Sequence, residues 1–532
     1  MKLKTALVAP DKFKGSLTAE LFCEIAKDEI KKFDKDIEVI TCPLADGGEG
    51  SLDCFIKNLN AKTIQKKFTN ANFERIDACY AIKDDVAFIE CAETSGLLKT
   101  EFKNPLKTTT LGMGEQIFDA IKNGASKIIC DTNKTYEITT KKVNNIYDYI
   151  SSFYKDKIDE LKLIGVTGTN GKTTTCYLIY QMLNSIGVKT SYIGTIGFYL
   201  NDKVKSLNNT TPSIDVLYNL LQDSYNAGCK VVVMEVSSHA LRQDRVHGLL
   251  FDAVIITNVT EEHQDYHKNM KDYINSKRKI IYMLKNNKIC ILNKKDKHYK
   301  KFINKSNKNI IIGKDIKIKK YKIELEKTNV TIKDKKKINL ELSLLGDFNI
   351  YNYVMAYVAL KELGYNNDKF IKASYNYKAP IGRMQKIKYK NNAIFIDYAH
   401  TPDAVLNVLK TVRKINSDGV ITIIGCGGDR DKEKREKMGS ISCVYSNYVI
   451  FTLDNPRGED PKSIVNDMLK GAFGKYEVIL DRKKAIEKGI SLLNGNKILM
   501  ILGKGHENYQ IIKGVKHHFS DLEEVMNIIL KK

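Results

Sequence analysis

The sequence of 532 residues has no long hydrophobic run. A membrane-spanning helix needs about 18 or more consecutive apolar residues, and no uncharged stretch of the chain approaches that length. The short apolar segment near the N-terminus meets Asp11 and Lys12 too early for a signal peptide. We therefore expect a cytoplasmic protein with no membrane partner.

Cysteine occurs eleven times, but never in an arrangement typical of zinc sites or redox pairs. The sequence has no Cys-x-x-Cys pair and no Cys/His cluster with metal-ligand spacing. Several cysteines, among them Cys176, Cys290 and Cys426, lie in apolar or glycine-rich runs. These features argue against a structural zinc site and predict reduced, mostly buried thiols.

Arginine is scarce, because it provides only ten of the 86 basic residues, although the net charge is +23. Nucleic-acid recognition favours the arginine fork, whereas the lysines are scattered over the whole chain. We therefore expect a solvated basic surface with a general attraction for phosphorylated substrates, and no nucleic-acid partner. Six arginines lie in or beside the motifs described below, where a fork would be required: Arg242, Arg245, Arg383, Arg430, Arg435 and Arg457.

Short apolar strands alternate with helices along the chain, which predicts an α/β fold with parallel sheets. At roughly 100–200 residues per domain, the length predicts about three to five domains. The predicted strands are 5–9, 38–41, 86–90, 161–167, 230–235, 253–258, 393–397, 420–425, 448–453, 477–480 and 498–502, and a predicted helix spans 18–32. The Lys-rich alternating segment 316–345 predicts antiparallel strands.

A glycine loop follows the predicted strand 161–167 and opens a helix: Gly168, Thr169, Asn170, Gly171, Lys172, Thr173 and Thr174. This context is typical of a phosphate-binding loop, because glycines let backbone N–H groups converge on phosphate oxygens at a helix N-terminus. Lys172 can reach the β- and γ-phosphates of a nucleotide, and Thr173 can hold Mg²⁺.

Polar side chains cluster after the next strands. Glu235 ends an apolar strand, where a second Mg²⁺ ligand would lie. Further polar residues follow it: Ser237, Ser238, His239, Gln243, Arg245, Asn258, His263, Asp265 and His267. One histidine after a strand is more often a satisfied polar residue than a ligand, but ligands of open α/β sheets bind at strand ends. Together these residues predict metal-assisted phosphoryl transfer.

Residues 131–532 resemble the Mur ligases of peptidoglycan synthesis. The segments that carry the resemblance are 168–174, 235–241, 263–267 and 382–385. It is strongest to the members that add the third peptide residue to UDP-N-acetylmuramoyl-L-alanyl-D-glutamate. The resemblance implies that ATP, with Mg²⁺, activates a carboxylate as an acyl phosphate, which an amine then attacks. We expect a monomer that acts on small-molecule substrates.

The resemblance also implies roles for single residues. The loop 168–174 matches the ATP site, with catalytic roles for Lys172, Arg383, His263 and Lys277. Thr173, Glu235 and His263 match the Mg²⁺ site. Lys277 matches the lysine that the family carbamylates, although the sequence alone would make it one surface lysine among many. The residues that match the muramoyl-peptide site are Asn209, Thr210, Thr211, Ser237, Gln243 and Arg245.

One departure from the family pattern lies beside the Mg²⁺ site. Glu261 and Glu262 precede His263, where relatives usually carry Arg-Asp or similar. The neighbours of His263 are therefore left undetermined by the resemblance.

The C-terminal region carries residues for the nucleotide and for an amino acid. By resemblance Asn349, Asn352, Arg383 and Asp397 face the nucleotide, with a helix cap as the alternative for Asn349. Arg430 and Arg457 could each bind a carboxylate, and Glu507 could bind an ammonium group. Within the family, Asp-Asn-Pro-Arg is the signature for meso-2,6-diaminopimelate. The residues implied in its binding are Arg430, Asp454, Asn455, Pro456, Arg457, Gly503 and Glu507.

Residues 1–130 do not resemble the uridine-binding domain of complete Mur ligases. They resemble the start of a bacterial glycerate kinase, through the segments 9–17, 45–50 and 108–115. The uridine end of the substrate should therefore find few prepared contacts. We predict four parts: a glycerate-kinase-like α/β fragment (1–130), a remnant of the uridine-binding domain (131–160), a central ATP-binding domain with a parallel sheet (161–345) and a Rossmann-like C-terminal domain that binds the amino acid (346–532).

Two other functions remain open at this point: a glycerate kinase, and a fusion that binds ATP but is impaired as a ligase. The ligase is favoured because its motifs are dispersed over residues 131–532, whereas the kinase rests on half of one fold. Folylpolyglutamate synthetase belongs to the same superfamily, but it would not explain 455–457 together with 503–507.

Overall fold

The computed structural model divides the chain into two compact units, Met1–Ile146 and Tyr147–Lys532. The division falls within the segment 131–160 that the sequence assigns to a domain remnant. No helix of the described residues is long and apolar enough to cross a membrane. The structure describes residues 5–8, 19–41, 52–53, 56, 60–70, 74–83, 86–90, 115–116, 119–120, 123, 128–130, 140–142, 146–201, 203–260, 266–365, 368–416 and 419–530.

The described part of the first unit consists of short strands and one long helix. Its elements are β1 (Thr5–Val8), α1 (Ala19–Phe33), β2 (Glu38–Thr41), β3 (Lys62–Thr69), β4 (Arg75–Lys83), β5 (Val86–Phe88), β6 (Ile128–Cys130) and β7 (Thr140–Lys142). Strands β1 and β2 pair in parallel, as do β6 and β7, while β3, β4 and β5 form an antiparallel sheet. The predicted helix 18–32 and strands 5–9, 38–41 and 86–90 are confirmed to within two residues. The glycerate-kinase-like segments 9–17, 45–50 and 108–114 lie outside the described residues.

The second unit contains an eight-stranded sheet with the order β11-β10-β9-β12-β8-β13-β14-β15. Strands β9, β12, β8, β13, β14 and β15 are parallel, and the edge strands β10 and β11 are antiparallel. The elements are α2 (Ile146–Asp159), β8 (Lys162–Thr167), α3 (Lys172–Ser185), β9 (Thr190–Gly194), β10 (Gly197–Leu200), β11 (Lys203–Lys205), α4 (Ile214–Asn226), β12 (Val231–Glu235), α5 (Ser238–Arg242), β13 (Phe251–Ile256), α6 (Met270–Arg278), β14 (Leu284–Asn293) and β15 (Lys308–Ile312). The strands predicted at 161–167, 230–235 and 253–258 are confirmed.

Helices cover both faces of this sheet, which is why its central strands are apolar on both sides. Ile164 and Val166 of β8 pack with α3 and with α7 (Asp347–Glu362) on one face. Leu163, which points the other way, packs with α4. The carboxyl ends of the parallel strands lie together at one end of the sheet, and the glycine loop begins there, directly after β8.

A three-stranded antiparallel sheet follows, formed by β16 (Lys317–Ile323), β17 (Thr328–Lys333) and β18 (Lys337–Leu342). Val330, Ile332 and Leu340 of this sheet join the core, while all four lysines of β16 are exposed. The antiparallel strands predicted for 316–345 are confirmed.

The C-terminal sheet has the order β19-β20-β24-β21-β22-β23, and all of its strands except β19 are parallel. Helices α9, α10 and α11 pack on one face, and α12 and α13 pack on the other. The elements are α8 (Asp368–Lys372), β19 (Gln385–Tyr389), β20 (Asn392–Asp397), α9 (Pro402–Ile415), β21 (Val420–Ile424), α10 (Glu433–Tyr445), β22 (Tyr448–Phe451), α11 (Pro461–Leu469), β23 (Tyr476–Val478), α12 (Arg482–Ser491), β24 (Ile498–Leu502), β25 (Tyr509–Ile512), β26 (Val515–His518) and α13 (Asp521–Leu530). The five strands predicted for this region are confirmed to within two residues.

Candidate active site

The glycine loop lies between β8 and α3, as the sequence predicts. Gly171 caps α3 with φ of 87° and closely approaches Asn352 of α7. A Cβ atom on Gly171 would lie 2.5 Å from Asn352 Oδ1. Only glycine combines this positive φ with so close a neighbour at no steric cost. The loop is therefore fitted against the helix that follows the antiparallel sheet.

Lys172 is held at the loop by two backbone carbonyl groups. Its Nζ donates hydrogen bonds to the oxygens of Gly168 and Thr169, each at 2.9 Å. Asn258, which follows β13, accepts the N–H of Asn170 with its Oδ1 at 2.9 Å. The loop backbone is thus fixed before any phosphate binds, which is the preorganisation that favours anion binding.

Thr173 and Glu235, the two described members of the predicted Mg²⁺ site, are in direct contact. Thr173 Oγ1 donates to Glu235 Oε2 at 2.9 Å, and both side chains are buried. The oxygen chemistry suits Mg²⁺, which prefers hydroxyl, carboxylate and phosphate oxygens. The described residues contain no group of three His, Cys, Asp or Glu side chains that could hold a metal ion. The third predicted ligand, His263, lies outside the described residues.

Two residues that the sequence reasoning missed fix the Glu235 carboxylate. The Tyr192 hydroxyl donates to Oε1 at 2.5 Å, and Thr195 donates from its backbone N to Oε1 at 2.8 Å and from Oγ1 to Oε2 at 3.1 Å. Burial, together with the charge of Glu235, raises the pKa of Tyr192 well above its usual value, so that the phenol stays a donor. Tyr192 lies in a fully buried strand and carries no sequence signal of this role.

Lys277 is buried, with 1% of its surface exposed, unlike the many surface lysines of the chain. Its Nζ donates to Gly168 O at 2.9 Å and lies 4.5 Å from the ring centroid of Tyr273, one helical turn earlier. The N-cap of α6, Asn269, begins the helix that carries Lys277 to the start of the loop. Tertiary packing therefore places this lysine beside the predicted ATP site.

Four of the six predicted muramoyl-peptide residues, Thr211, Ser237, Gln243 and Arg245, form one connected group at the end of β12. Thr211 donates from Oγ1 to Glu235 O at 2.8 Å, and the N–H of Ser237 donates to Thr211 Oγ1 at 3.0 Å. Arg245 donates from Nη1 to Thr211 O and from Nε to Gln243 Oε1, both at 2.8 Å. Thr210 Oγ1 lies 3.1 Å from Thr195 Oγ1, while Asn209 is exposed.

A cavity of about 340 Å³ separates the loop from the C-terminal domain. Seven of the eleven predicted nucleotide residues line it: Asn170, Gly171, Thr174, Asn349, Asn352, Arg383 and Asp397. The other four, Gly168, Thr169, Lys172 and Thr173, belong to the glycine loop but do not line the cavity. Asn349 is not the helix cap, because Gly346 caps α7 and Asn349 Nδ2 donates to Leu345 O at 2.8 Å. Arg383 lies 4.7 Å over the Tyr398 ring, and its buried Nε has no hydrogen-bond partner among the described residues.

Asp397 joins two loops at the floor of this cavity. Its Oδ2 accepts the N–H of Met384 at 2.6 Å and its Oδ1 accepts the N–H of Ala399 at 2.8 Å. Burial raises the pKa of Asp397, and the Arg383 guanidinium opposes that shift. The carboxylate therefore positions the segment that carries Arg383.

A second cavity, of about 240 Å³, lies beside the first and shares Tyr398 and His400 with it. Six of the seven residues predicted to bind diaminopimelate line this cavity: Arg430, Asp454, Asn455, Arg457, Gly503 and Glu507. Pro456 does not line it and contributes backbone instead, because its carbonyl accepts the N–H of Glu459 at 3.0 Å. Arg457 has φ of 53°, and the β25 hairpin pairs with both of its backbone groups.

A fully buried lysine that the sequence reasoning did not assign lies under this second cavity. Lys504 Nζ is 3.4 Å from Glu507 Oε2, 3.5 Å from Asp454 Oδ1 and 3.3 Å from Asn455 Oδ1. Burial, together with the charge of Asp454, raises the pKa of Glu507. At this point of the cavity wall two carboxylates lie beside one ammonium group, and carboxylate oxygens can accept hydrogen bonds from an incoming ammonium group. Its place between two glycines in a motif was the only signal for Lys504.

Taken together, the fixed glycine loop, the buried carboxylate and the paired cavities define a two-domain, nucleotide-dependent α/β enzyme. Comparison with known proteins agrees with this class. The family model described as Mur ligase middle domain matches residues 166–360, and the one described as Mur ligase, glutamate ligase domain matches 382–505. The model of the Glycerate kinase family matches residues 6–131.

Relatives extend the match across most of the chain. The UDP-N-acetylmuramoyl-L-alanyl-D-glutamate–2,6-diaminopimelate ligase of Aquifex aeolicus is 41% identical over 383 residues, which cover 71% of this chain and 79% of the relative. The ligase of the same name from Cytophaga hutchinsonii is 37% identical over 421 residues, covering 76% and 87%. A solved structure of a ligase of that name has a TM-score of 0.58 and 30% identity, and covers 77% of this chain and 88% of its own.

The chain belongs to the Mur ligase family. The resemblance to Mur ligases and the predicted α/β fold class are thus confirmed, as is the resemblance of the first region to glycerate kinases. Among the described residues, no two cysteines form a disulfide, and Cys176, Cys290 and Cys426 are buried as predicted.

Proposed function

We propose that the chain is an ATP-dependent ligase that joins meso-2,6-diaminopimelate to UDP-N-acetylmuramoyl-L-alanyl-D-glutamate in peptidoglycan synthesis. The observation that supports it most directly is the pairing of the two cavities. One is lined by the glycine loop, and the other is lined by carboxylates and arginines of opposite charge. This arrangement allows a phosphorylated carboxylate and an amine to meet at the shared residues Tyr398 and His400.

The loop 168–174 binds the phosphates of ATP in this proposal. Lys172 contributes a positive charge next to backbone N–H groups at the N-terminus of α3, where negative charge is stabilised. Arg383 binds the γ-phosphoryl oxygens as that group moves to the substrate carboxylate, because its guanidinium is planar and permanently charged. Asn349, Asn352 and Asp397 hold the segments around the nucleotide.

Thr173 and Glu235, with His263, would hold Mg²⁺. When bound, the ion neutralises charge on the phosphate oxygens. Tyr192 and Thr195 keep both oxygens of Glu235 in one orientation. The chain thus fixes its own ligands before the nucleotide supplies further oxygens.

Lys277 is proposed to be carbamylated. Its neutral amine forms a C–N bond to carbon dioxide and releases a proton, which converts a buried cation into a carboxylate beside the loop. The burial of Lys277 and the position of its Nζ, 2.9 Å from Gly168 O, support this, because a carbamate formed there would lie beside the loop. The carbamate would then orient the Mg²⁺ ligands next to the acyl phosphate.

The two substrates are recognised by separate groups. Asn209, Thr210, Thr211, Ser237, Gln243 and Arg245 would bind the muramoyl peptide. Arg430 and Arg457 would bind the carboxylates of diaminopimelate, while Asp454 and Glu507 would bind one of its two ammonium groups. Asn455 and Gly503 contribute polar backbone or amide groups to the same wall.

The direct test is to mix purified chain with ATP, Mg²⁺, the muramoyl-dipeptide nucleotide and a candidate amino acid, and to measure product mass. Diaminopimelate should give the tripeptide product and lysine should give much less. Lys172→Ala should lose ATP turnover with its fold intact, whereas Lys203→Ala, an exposed lysine on β11, should behave as the unmodified chain. Failure to form any product from diaminopimelate would refute the proposal.

A glycerate kinase activity is the second candidate, because the first region matches that family. The match ends at residue 131, and half of an α/β domain rarely builds a complete site. We expect no ADP release when glycerate replaces both ligase substrates in the same assay.

A further inference from the structure

Arg482 and Asp521 form a completely buried ion pair. It contacts the residues that precede Asp454 and Gly503 in the second cavity, which is called the amino-acid cavity because it is proposed to bind diaminopimelate. Both side chains are 0% exposed, and Arg482 donates from Nε to Oδ1 at 2.7 Å and from Nη2 to Oδ2 at 2.8 Å. Arg482 is the first residue of α12 and Asp521 is the first residue of α13. The pair thus links two helices on the face of the sheet opposite α9–α11.

The same guanidinium group also binds the ends of two strands. Its Nη1 donates to Leu453 O at 3.1 Å, and its Nη2 donates to Leu502 O at 2.9 Å. Leu453 directly precedes Asp454, and Leu502 directly precedes Gly503. One planar group therefore holds the starting points of both loops that line the amino-acid cavity.

The two strands that Arg482 connects are not neighbours in the sheet. Strand β21 lies between β22 and β24 and ends at Ile424, directly before Gly425. A Cβ atom on Gly425 would lie 2.7 Å from Thr452 O and 2.8 Å from Asp454 N. These strand ends converge with little space between them. A small shift of the Leu453 or Leu502 carbonyl group would therefore also move the next residue, Asp454 or Gly503.

We propose that Arg482, oriented by Asp521, is a positioning residue that sets the separation of the 454–457 and 503–507 loops and so determines the affinity for the amino acid. The inference rests on the proposed function, because it assumes that this cavity binds diaminopimelate. Arginine is needed here for its fork: a lysine ammonium could neutralise Asp521 but could not bind the carboxylate and both carbonyls in these directions. Arg482 is also one of only ten arginines in a lysine-rich chain.

The test compares three variants of the full chain by steady-state kinetics and urea unfolding. In Arg482→Lys and Asp521→Asn, we expect the Michaelis constant for diaminopimelate to rise roughly tenfold or more, because small misplacements of binding groups are costly. The constants for ATP and for the muramoyl nucleotide should change less than about twofold, since their contacts are untouched. The double variant Arg482→Leu with Asp521→Leu should recover stability, because apolar replacement of a buried ion pair is often neutral or stabilising. It should nevertheless keep the raised constant for diaminopimelate.

A matched control separates positioning from general stability. Asp252 is a buried carboxylate near the start of β13 in the central sheet, outside the amino-acid cavity. It accepts the N–H of Leu163 at 3.1 Å and pairs with Lys285 at 2.8 Å. Asp252→Asn should lower stability without changing the constant for diaminopimelate.

Three outcomes would overturn the inference. The Michaelis constant for diaminopimelate could stay unchanged in the folded variants, or the constants for all three substrates could rise equally. The double leucine variant could also recover the original constant for diaminopimelate. If the unmodified chain forms no product, the proposed function fails instead. Calorimetric titration of diaminopimelate into the unmodified chain and Arg482→Lys then decides the inference alone: weaker binding by the variant supports it, and equal binding refutes it.

Discussion

The side chain of Asn170 donates a hydrogen bond from Nδ2 to Asp403 Oδ2 at 3.2 Å. Asn170 belongs to the glycine loop of the central domain, and Asp403 lies in the first turn of α9 in the C-terminal domain. Both residues line the cavity proposed for the nucleotide. The two domains of the second unit are therefore joined directly beside that cavity.

The first prediction concerns this contact. Asp403→Ala should raise the Michaelis constant for ATP about fivefold, because a part-buried hydrogen bond contributes about 1 kcal/mol. Steady-state kinetics at saturating amino acid measures the effect. The control is Asp368→Ala on α8, an exposed carboxylate outside the cavity, which should leave the constant unchanged. Equal constants for the two variants would show that the contact does not support nucleotide binding.

The second prediction concerns Lys277. Lys277→Ala should lose most ligase activity, because the proposed carbamate beside Gly168 can no longer form. Short carboxylates added to the assay should restore part of that activity, and they should not stimulate the unmodified chain. Intact-mass measurement provides an independent readout, since the carbamate adds the mass of carbon dioxide. An active enzyme with an unmodified amine at this position would contradict the role.

The third prediction concerns the choice of amino acid. Arg457→Ala should impair diaminopimelate far more than lysine, because only diaminopimelate has a distal carboxylate for the guanidinium. Loss of a partner from a buried charge pair costs about 2–5 kcal/mol, which corresponds to roughly 30-fold to several-thousand-fold in kcat/KM. Arg413→Ala is the matched control, because Arg413 bonds Asn447 away from the cavity. Equal losses for both amino acids would refute the assignment.

The fourth prediction concerns stability at low pH. Arg435 is fully buried and binds both oxygens of Glu459 at 2.7 Å, and this pair lowers the pKa of Glu459 from 4.5 to about 2. The pKa of Glu459 is lower in the folded than in the unfolded state, so the pair stabilises the fold fully above a pH of about 4.5. That stabilisation is lost as the pH falls towards 2.

Glu459→Gln should therefore lower the free energy of unfolding at neutral pH, and the difference from the unmodified chain should shrink in acid. Urea unfolding at a series of acid pH values measures this difference in the free energy of unfolding. Glu436→Gln, an exposed residue of the same helix as Arg435, should show no such pH dependence. A difference that stays constant with pH would argue against the ion pair as its cause.

Local pattern in the sequence was sufficient for the elements and for the loop. The strand 161–167 and the segment 168–174 could be predicted because apolar runs, glycines and a following helix are properties of adjacent residues. The predicted strands matched to within about two residues for the same reason. The family motifs added which residues belong to one site, and thirteen of those residues line the two cavities.

The contacts between distant segments could not be predicted. Tyr192 and Thr195 hold Glu235 across neighbouring strands, and nothing in their own sequence context marks them. Lys277 looks like any other lysine in the chain until α6 packs it beneath the loop. Asp403 reads only as a residue near a helix start, but packing brings it to the loop.

The sequence by itself thus determined the α/β class, the phosphate-binding loop and the charged motifs after the C-terminal strands, because each depends on residues close together in the chain. Only the tertiary structure decided which charges are buried together. Arg482 is the clearest case. Its guanidinium binds Leu453, Leu502 and Asp521, and these contacts form only when folding brings four separate strand and helix ends together. In the proposed role of Arg482, these contacts set the separation of the 454–457 and 503–507 loops, because a buried guanidinium needs acceptors for its N–H donors.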